Sequence, residues 1–561
     1  MRIALAQFNP IVGDIAGNTA RMADLIDQSA QQGADLVVFA ELSIIGYPPR
    51  DLLRKTRFVQ ENVRAVEMLA KRCTKVAALV GFARPSPVGT GRPLQNAAAL
   101  LEDGRVRHVQ VKNLLPTYDV FDETRYFEPG QPPQCIEFRG TKLGLSVCED
   151  LWDALALGRG LYSQDPIAHL KSQGAQVIIN MAASPFQMGK AALREALFAR
   201  QAQRCNAPIL YVNQVGGNDE LIFDGSSCAF DAGGKLIGRA KSFEPDLLIV
   251  DTHAGPTRCE KLQGEMARLS GALKLGLRDY IAKCGFKSVV LGLSGGIDSA
   301  VVAVLAADAI GPQNVLALAM PSRYSSDHSI ADARELAQRT GIGFQVAPIE
   351  PIHAAYEQAL AASLAGGNAE IAGENVQARI RGNIIMAISN AFGHLALATG
   401  NKSEMSTGYC TLYGDMAGGL APIGDVLKTH VFALAQQLND EAGIERIPRN
   451  TIVKPPSAEL KPNQFDQDTL PPYDVLDQIL LRYVEEDQTA EHIISDGFDA
   501  AIVNRVIRMV DNAEYKRKQA APVLKVTARA FGTGRRMPIA QRYRPGDLQD
   551  AAPEFPANPV K

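Results

Sequence analysis

The stretch "SVVLGLSGGIDSAVVAVLAADAIG" (288–311) leaves a chain few ways to fold. An apolar run short enough for a buried strand is followed by a tight turn and then by a helical segment. The apolar run "NVLALAM" comes next, then a helix from about Ser329 and the run "FQVAPI". Just upstream, Leu269, Leu273, Leu277 and Ile281 recur every four residues and give a helix one apolar face. Strand, turn and helix repeated in this order predict a parallel, doubly wound α/β sheet.

That sheet cannot be the whole molecule, because 561 residues exceed what one compact core holds. The first half has its own series of strand-like runs: "RIALAQ", "DLVVFAE", "VAALVGF", "KLGLSV", "QVIINMAAS" and "PILYVN". They are apolar rather than alternating, as in sheets covered by helices. Between the first two, Met22, Leu25, Ile26 and Ser29/Ala30 share one helical face, and Gly33 marks a stop. At 251–266 the pattern dissolves into Gly, Pro and charge. The reading is therefore a domain over 1–252, a linker over 253–266, a second domain over 267–545 and a loose tail over 546–561. No repeat relates the halves, and the Pro-rich stretch after 450 reads as a mobile cover.

Bulk chemistry removes several function classes. A net charge of −3 gives no case for nucleic acid or an acidic membrane surface. The eight cysteines are scattered, with no C-x-x-C pair, which argues against a zinc site or a disulfide framework. No run approaches the roughly 18 apolar residues of a membrane span, and "MRIALAQFNP" is not a leader. A reduced, cytoplasmic, enzyme-like protein is expected.

In "KLGLSVCEDLW" a thiol, Cys148, stands where a strand gives way to a turn. A free thiol with a pKa of about 8.5 needs a base and a group to hold developing negative charge. Two other strand ends supply candidates: Glu41 in "DLVVFAELSIIGYPP" and Lys112 in "RHVQVKNLLPTYDVFDE". Taken separately, Cys148 could be core and Glu41 with Lys112 a buried ion pair. The three contexts together, in this order over about residues 1–250, resemble the nitrilase or carbon–nitrogen hydrolase family. The resemblance implies an α-β-β-α sandwich, with Glu41 as general base, Lys112 as oxyanion stabiliser and Cys148 as a thioester-forming nucleophile. Tyr118, Ser184 and Lys190 resemble, in members fused to a synthetase, residues that hold the amino-acid part of L-glutamine. Glu149 and Asp150 beside the thiol read as structural, since a bare carboxylate there would raise its pKa.

"GLSGGIDS" (292–299) is neither a G-K-[ST] loop nor G-x-G-x-x-G. Its glycines still let backbone N–H groups approach an anion at a helix N-terminus. Ser294 and Ser299 add hydroxyls, while Asp298 would repel phosphate unless a cation lies between, which implies Mg²⁺. The full string resembles the pyrophosphate loop of the N-type ATP pyrophosphatases, which split ATP to AMP and pyrophosphate. By that resemblance Gly292, Leu293, Ser294, Gly295, Gly296, Ile297, Asp298 and Ser299 would bind ATP. "ENVQARIRG" (374–382), "ATGNKSEMSTGYCTLYGDMAGGLAPIGDVLKT" (398–429) and "PPSAEL" (455–460) closely resemble the NAD synthetases. Carried over by position, Thr399 would contact ATP, and Glu404 would complete the Mg²⁺ site with Asp298. Arg379, Asp415 and Lys428 would handle phosphates or the leaving group. Asn375 and Lys516, with Glu404 beside them, would bind the dinucleotide.

The joined resemblances imply an enzyme whose first half frees ammonia from glutamine and whose second half adenylates deamido-NAD⁺ and aminates it. Ammonia would pass along a protected path as the neutral species. NAD⁺ would then be a product and ATP a co-substrate, neither a redox cofactor. Another carboxylic acid as acceptor is the alternative. The resemblance also implies an even-numbered homo-oligomer, with small molecules as the only other partners.

Overall fold

The computed structural model describes residues 1–153 and 160–543. The expected tail, 546–561, lies outside the described residues. The chain divides into two units, one of Met1–Gln263 and one that begins at Gly264.

The first unit contains two six-stranded sheets. One has the parallel trio Arg2–Gln7, Leu36–Val38 and Ala77–Pro85 in its centre, with Asp246–Asp251 on one side and Leu94–Glu102 and Arg105–Val111 on the other. The other has parallel strands Thr141–Val147, Val177–Ala182 and Ile209–Asn213 flanked by antiparallel partners. Alternation along one strand builds both cores. Ile3 and Leu5 face Leu145, Val147, Ile178 and Leu210 of the other sheet. Ala4 and Ala6 join Met22 and Ile26 of the helix Ile15–Gln31 and Val66 and Leu69 of the helix Thr56–Ala70. Leu197, Phe198 and Ala202 of the helix Lys190–Cys205 pack against the second sheet. The result is the helix–sheet–sheet–helix sandwich expected. The six strand-like runs of the first half all contain strands.

The second unit is built on a four-stranded, fully parallel sheet ordered Gly343–Val346, Val315–Ala319, Val289–Gly292, Leu395–Leu397. The chain leaves Val289–Gly292 toward one edge and later returns on its other side. The end of that strand is therefore a topological switch point, where open α/β sheets leave a crevice. The helix Ile297–Ile310 starts in this crevice and is buried along most of its length. Among the described residues no helix is long and apolar enough to cross a membrane, and all eight cysteines are free.

Candidate active sites

In the first unit three strand ends converge. Glu41 follows Leu36–Val38 in a turn that presses on Gly81, where a Cβ would lie 2.4 Å from the Leu42 nitrogen and 2.5 Å from the Ala40 oxygen. No side chain larger than hydrogen fits there without moving the Glu41 turn. Glu41 is buried, and its Oε1 accepts from Asn96 Nδ2 and from Lys112 Nζ, each at 2.7 Å. Its Oε2 accepts from the Ala183 N–H at 3.1 Å. Lys112, 0% exposed, donates also to Glu123 Oε1 at 2.8 Å, and the Tyr47 hydroxyl donates to the same oxygen at 3.0 Å. One ammonium thus serves two carboxylates. Burial, opposed by Lys112 and reinforced by Glu41, pushes the Glu123 carboxyl up to about 7. Glu123 is a member of this cluster that sequence reasoning missed. It lies within the quoted "YDVFDE", but nothing in the spacing sets it apart from Asp119 or Asp122.

Cys148 begins the short turn Cys148–Leu151 directly after the strand Thr141–Val147, with φ +45°. A non-glycine residue held in that region is strained, and such strain is concentrated at working residues. Asp150 holds the turn in place. Its carboxylate accepts from the N–H groups of Asn113, Leu114 and Val147 at 3.0, 2.8 and 3.0 Å, tying the segment after Lys112 to the thiol's own turn. Burial and then the Glu41 charge push the thiol well above its usual range, with Lys112 pulling the other way. The resting sulfur is therefore a neutral thiol within the electrostatic reach of Glu41.

The residues assigned to glutamine divide. Tyr118 donates to both carboxylate oxygens of Glu149, at 2.8 and 3.0 Å, and Tyr162 donates to Oε1 at 3.2 Å. Glu149, expected as scaffold, is thus a buried carboxylate held by two phenols rather than by backbone. Lys190 lies 5.5 Å from the centre of the Trp152 ring and donates to the Pro185 carbonyl at 3.2 Å. Ser184 is buried, and its N–H donates to Asn213 Oδ1 at 2.9 Å.

In the second unit the crevice is a cavity of about 320 Å³ lined by Gly292, Leu293, Ser294, Gly296, Ile297, Asp298, Thr399, Glu404, Asp415 and Lys428, all expected from sequence. Gly295 takes φ +81°, and a Cβ there would meet the Ser329 carbonyl at 2.2 Å. Ser299 supports the loop from below: its hydroxyl accepts from the Ser294 N–H at 3.2 Å and donates to the Gly296 carbonyl at 3.0 Å. That leaves the first N–H groups of the helix Ile297–Ile310 at the cavity wall.

Asp298, Glu404 and Lys428 meet. Lys428 Nζ lies 2.5 Å from Asp298 Oδ2 and 3.6 Å from Glu404 Oε1. Asn401, which sequence reasoning passed over, links the pair: its amide donates to Asp298 Oδ1 at 2.9 Å, and it forms a capping box with Glu404 at the start of the helix Lys402–Thr407. Burial, then the Asp298 charge, push the Glu404 carboxyl up to about 8. Two carboxylates that repel each other and converge on one cation fit a hard divalent ion. Among the described residues no cluster of three or more His, Cys, Asp or Glu could hold a metal.

The Pro-rich stretch lies against this cavity, which Lys454, Pro455, Glu459, Leu460 and Asp466 help to line. Glu459 accepts from the hydroxyls of Ser326 and Ser329 at 2.9 and 2.7 Å. Asp466, also missed, is buried and accepts from the Tyr473 hydroxyl at 2.7 Å. Asn375, Arg379 and Lys516 lie outside the cavity lining and gather instead on the 408–415 loop. Asn375 Oδ1 accepts from the Thr411 hydroxyl at 2.9 Å, and Arg379 Nε donates to the Leu412 carbonyl at 3.2 Å. Lys516 donates to the Gly408 and Cys410 carbonyls, each at 2.8 Å.

Comparison with known proteins follows the same division. The carbon–nitrogen hydrolase family model matches residues 2–258 and the NAD synthase model residues 269–520. The chain is 49% identical to the glutamine-dependent NAD(+) synthetase of Synechocystis sp., over 97% of this chain and 99% of that one. It is 42% identical to the enzyme of the same name from Thermotoga maritima, over the same shares. The solved structure of glutamine-dependent NAD+ synthetase from Acinetobacter baumannii in complex with ADP is 40% identical, with a TM-score of 0.77 over 96% of this chain and 98% of that one.

Proposed function

Because the chain belongs to the glutamine-dependent NAD(+) synthetase family, we propose that it converts deamido-NAD⁺, ATP, L-glutamine and water to NAD⁺, AMP, diphosphate and L-glutamate. The observation that carries this reading is the presence of two complete, separately built sites in one chain. One is a buried Cys148–Glu41–Lys112 set, and the other a phosphate loop at a sheet switch point.

In the first site Glu41 takes the thiol proton as Cys148 Sγ attacks the glutamine amide carbon. Lys112 holds the oxyanion, and the protonated nitrogen leaves as ammonia. Water, activated by Glu41, then cleaves the glutamyl thioester to glutamate and restores the thiol. Glu123 helps to hold the Lys112 ammonium in place, since it accepts a second hydrogen bond from it. Tyr118, Ser184 and Lys190 bind the amino-acid end of glutamine. Glu149, buried between two tyrosine hydroxyls, supplies the carboxylate that an α-ammonium group needs.

In the second site residues 292–299 and Thr399 seat ATP. The carboxylate of deamido-NAD⁺ attacks the α-phosphorus, expelling diphosphate and leaving an acyl-adenylate, and ammonia from the first site displaces AMP. Asp298 and Glu404 would hold Mg²⁺, whose charge would offset that of the phosphates. Lys428, already between these carboxylates, carries a further positive charge to the leaving diphosphate, with Asp415 at the same wall. Asn375 and Lys516 bind the dinucleotide at the 408–415 loop, while Arg379, expected among the phosphates, is turned to that loop outside the cavity lining. Eight free cysteines support a reducing, cytoplasmic setting. Ile371, Met386 and Phe392, exposed on the helix Ala369–Phe392, support a homo-oligomer.

The test supplies deamido-NAD⁺, ATP and Mg²⁺ with either glutamine or ammonium and follows NAD⁺ and AMP. Cys148→Ala should abolish synthesis from glutamine and retain synthesis from ammonium. Loss of both in a folded variant, or survival of both, would overturn this division of labour.

A further inference from the structure

Arg379 and Arg381 are two residues apart on the helix Ala369–Phe392, so they point about 200° apart around its axis. The structure separates them accordingly. Arg379 is exposed and turned to the Leu412 carbonyl, outside the cavity lining. Arg381 lines the cavity together with Ala378, Gly382 and Ile385 of its own helix. Its Nε donates to the Met320 carbonyl at 3.0 Å, at the end of the strand Val315–Ala319 and so beside the switch point. That single bond uses one of five donors, and Arg381 forms no salt bridge among the described residues. Glu459 and Asp415 are the carboxylates whose charge reaches it. Burial outweighs them both and draws the guanidinium down to about 10. A cation partly withdrawn from water without a paired carboxylate carries a desolvation cost that an arriving anion would offset.

We propose that Arg381, rather than Arg379, is the arginine that receives the phosphate chain of the nucleotide and the departing diphosphate. This rests on the reading of the cavity as an ATP site. A guanidinium fixed through Nε presents its two Nη groups as a fork, the geometry that suits two oxygens of one phosphate. Fixing the fork to a strand-end carbonyl also holds it at a set height above the sheet. Arg379, solvated and bound to a loop carbonyl, has neither advantage.

Equilibrium binding of ATP, inorganic pyrophosphate and adenosine to the full chain separates the possibilities, with Arg381→Met, Arg381→Lys and Arg379→Met compared with wild type. Arg381→Met should weaken ATP and pyrophosphate about tenfold or more and leave adenosine within about twofold. Arg381→Lys, which keeps the charge but loses the fork, should fall between. Arg379→Met should change ATP and pyrophosphate binding less than about threefold, as an exposed cation does. Equal weakening of adenosine and ATP in a folded Arg381 variant would overturn the inference, because it would place the side chain on the nucleoside or in the fold. Unchanged affinity for all three ligands, or a larger loss in Arg379→Met, would overturn it as well. Failure of wild type to bind either ATP or pyrophosphate would instead sink the nucleotide reading on which it rests.

Discussion

Lys112, fully buried, and Arg381, partly buried at a cavity wall, are cations that the two units treat differently. Lys112 sits between the carboxyl groups of Glu41 and Glu123 at 2.7 and 2.8 Å, with its partners already in place. Arg381 has one backbone carbonyl and no salt bridge among the described residues. The contrast follows from what each site would receive. Glutamine carries no net charge at the amide that reacts, so charge appears only during the reaction, and the groups that meet it must be arranged beforehand. A nucleotide triphosphate brings several negative charges with it, so a cation can wait without a protein partner. The first site is built from buried side chains whose charges are paired with one another. The second is a cavity of about 320 Å³ whose electrostatics its ligand completes.

The sharpest way to break this comparison is to remove one charge from each site. Glu41→Gln removes the proposed base from the first site and leaves Lys112 with Glu123 alone. Synthesis from glutamine should fall about a thousandfold or more, while synthesis from ammonium stays within about twofold. Asp298→Asn is the mirror experiment. AMP formation should fall about a hundredfold or more with either nitrogen source, and glutamate release should continue. If Asp298→Asn also stops glutamate release, the sites do not run separately and the comparison fails. A smaller effect distinguishes a substrate contact from scaffolding around the thiol. Tyr118→Phe and Glu149→Gln each disturb the phenol–carboxylate pair at 2.8 Å. Each should raise the KM for glutamine about tenfold and lower kcat less, with ammonium-driven synthesis untouched. A fall in kcat at constant KM would place Glu149 with the chemistry instead.

Much of this was legible from the sequence, and unevenly so. The second unit announced itself because a parallel sheet buries both faces, so its strands read as continuous apolar runs and its phosphate turn stands out between them. In the first unit Glu41, Lys112 and Cys148 stood out through the resemblance of their three contexts to the carbon–nitrogen hydrolases, since strand-end position alone left a core thiol and a buried ion pair open. Glu123 and Asn96 did not. Asn96 lies inside the strand Leu94–Glu102, and only the pairing of that strand aims it at Glu41. Asn401 was hidden for a different reason: an Asn at a helix start is explained by capping alone, and its second bond, to Asp298, spans 103 positions in the chain. The Pro-rich stretch after 450 reads as a mobile cover because its prolines and polar residues form no period. The contacts of Glu459 with Ser326 and Ser329 seat it against the cavity wall.

The smallest effect tests how completely the first site is neutralised before substrate arrives. Glu123 is pushed from 4.5 up to about 7, by burial first, with Lys112 opposing and Glu41 adding to the rise. A carboxyl whose folded pKa exceeds its unfolded value holds a proton in the fold that the unfolded chain has already lost. Its contribution to stability is therefore full below about pH 4.5 and disappears as pH rises through about 7. Trp152, the single tryptophan, lies in the first unit, so its fluorescence follows the unfolding of that unit. The wild-type denaturation midpoint read from Trp152 should fall between about pH 5 and pH 8, and in Glu123→Gln, which cannot ionise there, it should fall less over the same interval. Parallel declines in the two proteins would assign the slope to another group. Glu123 would then be fully ionised in the resting site, Lys112 would face two full negative charges, and the first site would carry a net charge of its own before glutamine binds.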